Sequence, residues 1–398
     1  MDGNDRELVK FTSLAHALFH TYELSIPLFV GTWMAEFGAS AALIGVVVGA
    51  GYGLVGVGAP PSGVLSDRFG SRRLILASVV GMGVGFALVG FARGLASLAA
   101  AVLLWGAFAS LYHPAGLSLI SRAAEARGTV FAYHGAGGNV GTALGPLVTA
   151  LLLLAVDWRV AAAVLSIPAF VAALVGLRIE FEVPPRDDDV GMLSAEIRRL
   201  ARDSRGLFGL AFTVAFVAVL LYGTYYRGLL TFLPDVLAES PSLVPIEVAG
   251  HEVDPAQYVY TALLTVGIAG QYAGGRLTDH LPSTTAFLGA LSVLSGLALL
   301  FPAARSAGTV PLVAVCLLLG FFVYGTAPVY QVVIAENAAA DVHGLSYGFT
   351  YLAMFGVGAL GASLAGFVLT HATSGELFVV LAAVAAAGVG FVALLRRL

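Results

Sequence analysis

Gly63-Val64-Leu65-Ser66-Asp67-Arg68-Phe69-Gly70-Ser71-Arg72-Arg73 joins two long apolar runs. Its charges, Asp67, Arg68, Arg72 and Arg73, crowd into one short stretch, with Gly63 and Gly70 placed as close helix packing and a tight turn require. The runs on either side, at about 41–66 and 73–92, are each long enough to cross a bilayer, which takes about 20 mostly apolar residues. A charged turn between two such runs is a loop at a membrane surface.

The pattern continues in both directions. Twelve runs stand at about 11–33, 41–66, 73–92, 95–121, 128–156, 159–179, 207–233, 256–278, 284–303, 309–335, 344–371 and 375–395. None alternates as barrel strands do. The whole chain of 398 residues is 59% hydrophobic and 11% charged, with a mean hydropathy of +0.91. Soluble chains carry roughly 25% charged residues, so a water-soluble enzyme is excluded. A net charge of −4 supplies no basic field for nucleic acid. A single cysteine, Cys316, excludes a disulfide framework and a cysteine-held zinc cluster. No cleavable leader is expected, because the first apolar run is long enough to span. The glycine-rich runs lie inside spans and no Gly-Lys-Ser or Gly-Lys-Thr occurs, which argues against ATP-driven transport.

Cytoplasmic loops gather Lys and Arg. With the N-terminus inside, sixteen of the 20 basic residues fall in inside segments. Arg93, Arg159 and Arg305 fall outside, and Arg227 lies within span 7. Both termini are therefore expected in the cytoplasm. The longest inside loop separates six spans from six, predicting a bundle over 1–180, a linker over 181–206 and a bundle over 207–398. Leu193, Ile197 and Leu200 share a helical face with arginines around them, the pattern of an amphipathic helix on the inner leaflet; a disordered tether is the alternative.

The two halves repeat. Gly63 to Asp67 matches Gly275-Arg276-Leu277-Thr278-Asp279 at an offset of 212. Gly106 and Pro114 match Gly320 and Pro328 at 214, and Arg127-Gly128 and Gly145 match His343-Gly344 and Gly361 at 216. Parallel repeats of this kind are a transporter architecture, with the substrate site near the midplane. The fold class expected is an all-α membrane protein of twelve transmembrane helices in two pseudo-symmetric six-helix bundles.

The 63–73 stretch resembles the signature loop of the major facilitator superfamily: glycine, three residues, aspartate, basic, any, glycine, any, basic. A narrower resemblance runs through Tyr112-His113-Pro114-Ala115-Gly116, Arg127-Gly128, His134-Gly135-Ala136-Gly137-Gly138-Asn139-Val140-Gly141 and Gly145-Pro146, which is similar to the fosmidomycin-resistance efflux proteins. In span 1 that family has His, then Asp or Asn, then Gln and Pro; this chain has His16, His20, Glu23 and Pro27 at the same spacing. The resemblance implies alternating access, with spans 1, 4, 7 and 10 lining a cavity. It also implies a conformational latch at Gly63, Asp67, Arg68, Gly70 and Arg72, with Asp67 facing the start of span 11 near Gly344. Arg68 and Arg72 would pair with inner carboxylates such as Glu125 or Glu336. Asp279, in the second copy, would face the start of span 5. A glycine-rich span 5 ending in Gly145-Pro146 is similar to that of superfamily antiporters; ordinary helix packing explains the same glycines.

Ionisable groups inside a bilayer are costly and by default functional. His16, His20 and Glu23 fall on one face of span 1. Acids and imidazoles in a water-accessible hollow load and release protons near neutral pH. Glu23 is therefore the expected proton carrier, with His20 or His113 coupled to it; a static partner for a histidine or for Arg227 is the alternative. Arg227 offers a planar fork for a carboxylate or phosphonate, or else snorkels to water. Tyr225, Tyr324, Gln331, His16, His134 and Asn139 complete the candidate substrate contacts, with backbone hydrogen bonding the alternative for His134 and packing for the tyrosines. The span 1 histidines have zinc-like chemistry, but a metal would need ligands from other helices and His113 is the nearest candidate; no metal and no cofactor are expected. The reading is proton-coupled efflux of a small organic molecule, with uptake of an organic anion as the alternative, by a monomer in the plasma membrane. Its partners are the substrate, protons and lipid.

Overall fold

A computed structural model describes residues 1–184, 202, 207–248, 250–338 and 348–398. The amphipathic helix expected over 192–205 and the start of span 11 at Gly344 lie outside these residues. Helices occupy all twelve expected positions: α1 (Gly3–Ser25), α2 (Pro27–Phe37), α3 (Ala41–Val57), α4 (Ala59–Phe69), α5 (Ser71–Gly90), α6 (Leu95–Ala109), α7 (Tyr112–Ala123), α8 (Arg127–Ala155), α9 (Trp158–Arg178), α10 (Leu210–Ala238), α11 (Pro255–Thr278), α12 (Ser283–Ala307), α13 (Thr309–Asn337), a π-helical turn (Leu352–Val357) leading into α14 (Leu360–His371), and α15 (Ser374–Leu395). A two-stranded hairpin, β1 (Ile246–Val248) and β2 (His251–Val253), sits between α10 and α11. Among the described residues nine helices are long and apolar enough to span, and a tenth span is α3 with α4, bent by 49° at Gly58. Spans 1 and 8 are helical too, but they carry more polar residues.

Prolines explain where the helices break. Proline lacks the N–H that would bond the carbonyl four residues back. Pro27 removes the donor for the Glu23 carbonyl, and span 1 breaks at Ile26 between α1 and α2. Pro114 does the same to Ser110, and span 4 breaks between α6 and α7. Gly70, at a φ of 88° that glycine adopts without strain, turns α4 into α5 as its place in the quoted loop predicts.

The helices cluster into two contact units. One comprises residues 1–25 and 54–204, the other 26–53 and 205–398. The division differs from the midpoint of the sequence: the chain after the span 1 break, through most of α3, groups with the second set. In the first unit α1 packs on α8 and α5 on α9; in the second α10 packs on the π turn and α14, and α12 on α15. These are the pairs the internal repeat equates, span 1 with 5 against 7 with 11, and 3 with 6 against 9 with 12.

The α1–α8 contact depends on small residues. A Cβ on Gly141 would lie 2.0 Å from the Ala17 carbonyl oxygen, and one on Gly145 would lie 2.6 Å from Thr21 Cα. Gly138 receives the His16 ring itself, with Cε1 2.6 Å from where a Cβ would stand. The span 5 glycines thus act in packing, and they deliver a histidine to its site.

Candidate functional site

In the first unit, α1, α7 and α8 bring His16, His20, Glu23, His113 and His134 together. Three polar contacts run in series. His16 Nδ1 lies 2.8 Å from the His134 carbonyl oxygen, His16 Nε2 lies 3.1 Å from His20 Nε2, and His20 Nδ1 lies 2.7 Å from Glu23 Oε2. A carbonyl only accepts, so His16 Nδ1 donates to it. Each contact needs one proton. Two neutral imidazoles supply two, and the third lies between His20 and Glu23, on either atom. The three side chains therefore hold three protons and no net charge. Losing one leaves two bare acceptors facing each other.

Burial is graded along the series. The Glu23 side chain is 1% exposed and that of His20 is 20% exposed. The expected proton carrier is thus sealed from water in this state, and the imidazole stands on its accessible side. The partner of Glu23 in this pair is a histidine one turn away on its own helix. His134 stacks on His16 with ring centroids 4.1 Å apart, and its Nδ1 lies 3.4 Å from the Tyr112 hydroxyl, which donates to the Thr12 carbonyl. Its hydrogen bond across spans 4 and 5 is therefore to a tyrosine rather than to a backbone carbonyl. His113 meets the Phe19 ring edge-on at 4.3 Å and the His16 ring at 5.2 Å. Asn139 lies half-buried further along α8.

The second unit holds Arg227 on α10. It is 2% exposed, so it does not snorkel to water. Its guanidinium carbon lies 3.8 Å above the Tyr52 ring, with Tyr226 at 5.0 Å and Phe355 at 5.3 Å. Phe355 comes from the π-helical turn, a distortion that often marks functional positions. Tyr324 is half-buried, with its hydroxyl 3.3 Å from that of Tyr226. Tyr225 is fully buried, and its hydroxyl donates to the Leu294 carbonyl, which packs α10 on α12. Gln331 is exposed.

The loop residues divide. Asp67, Arg68 and Asp279 are exposed, and Gly63 is part of α4. Arg72 does not pair with Glu125. It donates to the Gly176 and Leu177 carbonyls at the end of α9, with Phe181 5.0 Å beneath it, satisfying acceptors the helix end leaves open. The start of span 5 is held by Asp5, fully buried, whose two carboxylate oxygens each accept at 3.0 Å from the backbone N–H of Glu125 and of Ala126. Sequence reasoning missed Asp5, Tyr112, Phe19, Tyr52 and Phe355. Tyr112 stood inside the quoted Tyr112-His113-Pro114 stretch, and Tyr52 between two glycines, which is the weak signal that was there.

The family model described as Major Facilitator Superfamily matches residues 12–362. The chain belongs to the major facilitator superfamily. It is a multi-pass membrane transporter, and not an enzyme. Among similar superfamily proteins is the fosmidomycin resistance protein of Escherichia coli, 24% identical over 302 residues, covering 74% of this chain and 69% of that protein. The hexuronate transporter of Bacillus subtilis is 23% identical over 326 residues, covering 77% and 74%. A bacterial homologue of the human lysosomal transporter Spinster, solved in an inward-facing and unoccupied conformation, matches with a TM-score of 0.78 at 14% identity, over 100% of this chain and 98% of that one. That likeness establishes the fold, two bundles of six helices as the sequence led us to expect.

Proposed function

We propose that this transporter is a proton-coupled exporter of a small organic molecule, drug-like or anionic, working by alternating access. It acts as a monomer in the cell membrane with both termini in the cytoplasm, as the arginine distribution favours. The observation that carries the reading is the sealed Glu23 carboxyl joined at 2.7 Å to a partly exposed imidazole. A buried acid with a histidine on its accessible side is a proton store with an entrance. Efflux is favoured by the likeness to a resistance protein. An anionic substrate is favoured by Arg227, a cation held in an aromatic setting where a carboxylate or phosphonate gains charge-assisted hydrogen bonds. Tyr324, Gln331, His16, His134 and Asn139 are the proposed accessory contacts, and His113 a proposed partner of the proton site. Uptake of an organic anion is the second reading, favoured by the same arginine and by the likeness to a hexuronate transporter.

The test is transport in proteoliposomes under opposed pH gradients. An exporter that exchanges substrate for protons accumulates substrate on the acidic side, whereas a symporter accumulates it on the alkaline side. Accumulation that ignores the gradient would remove proton coupling altogether. The exposed Asp67 and Arg68, with Gly63, Gly70, Arg72 and Asp279 as supports, are proposed to latch the cytoplasmic side. Asp67→Asn should then raise labelling of cysteines introduced on the cytoplasmic side, and unchanged labelling would count against the latch.

A further inference from the structure

The histidine cluster carries a second chemistry that does not depend on transport. His16 and His20 stand one turn apart on α1, and each has its Nδ1 engaged, His16 by the His134 carbonyl and His20 by Glu23 Oε2. Metal-ligating imidazoles are held in this way, by a carbonyl or carboxylate on the ring nitrogen that does not bind metal. The two Nε2 atoms are thereby turned toward each other at 3.1 Å. Two imidazoles on a tetrahedral ion with bonds of about 2.0–2.1 Å hold their nitrogens roughly 3.3 Å apart. A third imidazole arrives from another helix: ligand atoms of His16, His20 and His113 all lie within 4.8 Å of one another. Closing that last gap takes a ring movement of about 1.5 Å.

We propose that His16, His20 and His113 bind one divalent transition-metal ion of the zinc class. Glu23 and the His134 carbonyl orient two of the ligands, and a fourth position is left to water or to a donor atom of a substrate. The carboxylate supplies countercharge that a buried dication requires. Three imidazoles select zinc, cobalt, nickel or copper over magnesium and calcium, which prefer oxygen ligands. Ligation through both Nε2 atoms expels to water the one proton that lay between them. His20 keeps its Nδ1 proton, donated to the Glu23 carboxylate. The sequence led to no metal although it offered His113 as the nearest candidate ligand; folding brings that ligand from α7 to the span 1 pair.

The experiment titrates Co2+ into purified full-length protein from which any affinity tag has been removed. The expected result is saturable binding of about one ion per chain, with the strong visible absorption of four- or five-coordinate Co2+. Zn2+ displaces the ion and Mg2+ does not. Unmodified protein that takes up no Co2+, or shows only the weak spectrum of the six-coordinate ion, overturns the proposal. His113→Gln should abolish the spectrum and Glu23→Gln should weaken binding about 10–100-fold. His251→Ala, on the exposed hairpin, should change nothing. Loss of the spectrum in His251→Ala, or full binding in a folded His113→Gln protein, would also refute the site. Metal binding without proton-coupled transport would defeat the functional reading alone, and the reverse would defeat this inference alone.

Discussion

Glu23→Gln tests the proton store in a way the geometry makes quantitative. The glutamine amide has nearly the shape of the carboxyl group, and its N–H can donate to His20 Nδ1 as the acid does. The series then closes with two neutral imidazoles and an amide, every contact holding one proton, as in the loaded native state. Stability should change by no more than about 1–3 kcal/mol, because the contact to His20 is kept and only the second amide N–H, which the acid lacks, is new to the buried site. The variant has nothing to release, however. On the proposed mechanism the series stores one proton, so one proton moves per cycle. With the membrane potential clamped at zero, a gradient of one pH unit is then worth about 1.4 kcal/mol, which supports roughly tenfold accumulation of substrate. Reconstituted native protein should approach that ratio. Glu23→Gln should give a ratio near one while still exchanging labelled for unlabelled substrate, since exchange needs no proton release. A variant that still concentrates substrate tenfold would remove Glu23 from the mechanism. Native protein that reaches about a hundredfold under the same clamp would need two protons and would defeat the count of one.

Arg227→Ala should weaken binding of anionic substrates roughly 10–100-fold and leave neutral analogues unaffected. Arg227→Lys should not restore it, because an ammonium lacks the planar face that stacks on Tyr52; thermal-shift titrations read both, and equal losses for neutral ligands would make the residue structural. Gly141→Ala places a methyl group 2.0 Å from the Ala17 carbonyl oxygen and should cost about 1–3 kcal/mol, whereas Gly135→Ala meets nothing within 4 Å and should be neutral or gain up to about 1 kcal/mol of helix propensity. Melting temperatures in one detergent decide this pair, and equal shifts would contradict the α1–α8 packing. Asp5→Ala removes two backbone contacts at the start of α8 and should cost about 1–2 kcal/mol; an unchanged melting temperature would show that the cap contributes nothing.

The fold was legible because a bilayer imposes length, apolarity and a sign rule on the loops, and each leaves a mark in one dimension. Helices stand at each of the twelve places where the runs were counted, several of them broken in two, and the break at Gly58 follows from Pro60 and Pro61. The span 1 face of His16, His20 and Glu23 was equally legible, since residues three and four apart on a helix are neighbours. What the sequence hid is set by contacts between helices. Asp5 meets the start of span 5, and repeat symmetry has no term for an N-terminal arm. Arg72 reads as an ion-pairing residue from its loop, but it donates to the carbonyls at the end of α9. The tyrosines show why residue type misleads: Tyr225 and Tyr226 are adjacent, so on a helix they point about 100° apart, and one packs on α12 while the other flanks Arg227.

The chemistry is also divided between the contact units in a way that bears on coupling. The proton series belongs wholly to residues 1–25 and the helices grouped with them, and the Arg227 setting wholly to the other unit, including Tyr52 from 26–53. A carrier must make the state of one depend on the state of the other. One of the three places where the chain passes between the units is Ser25-Ile26, two residues beyond Glu23, where Pro27 has already removed the hydrogen bond that would bind the Glu23 carbonyl into a continuous helix. A helix missing that bond bends there at lower cost than elsewhere.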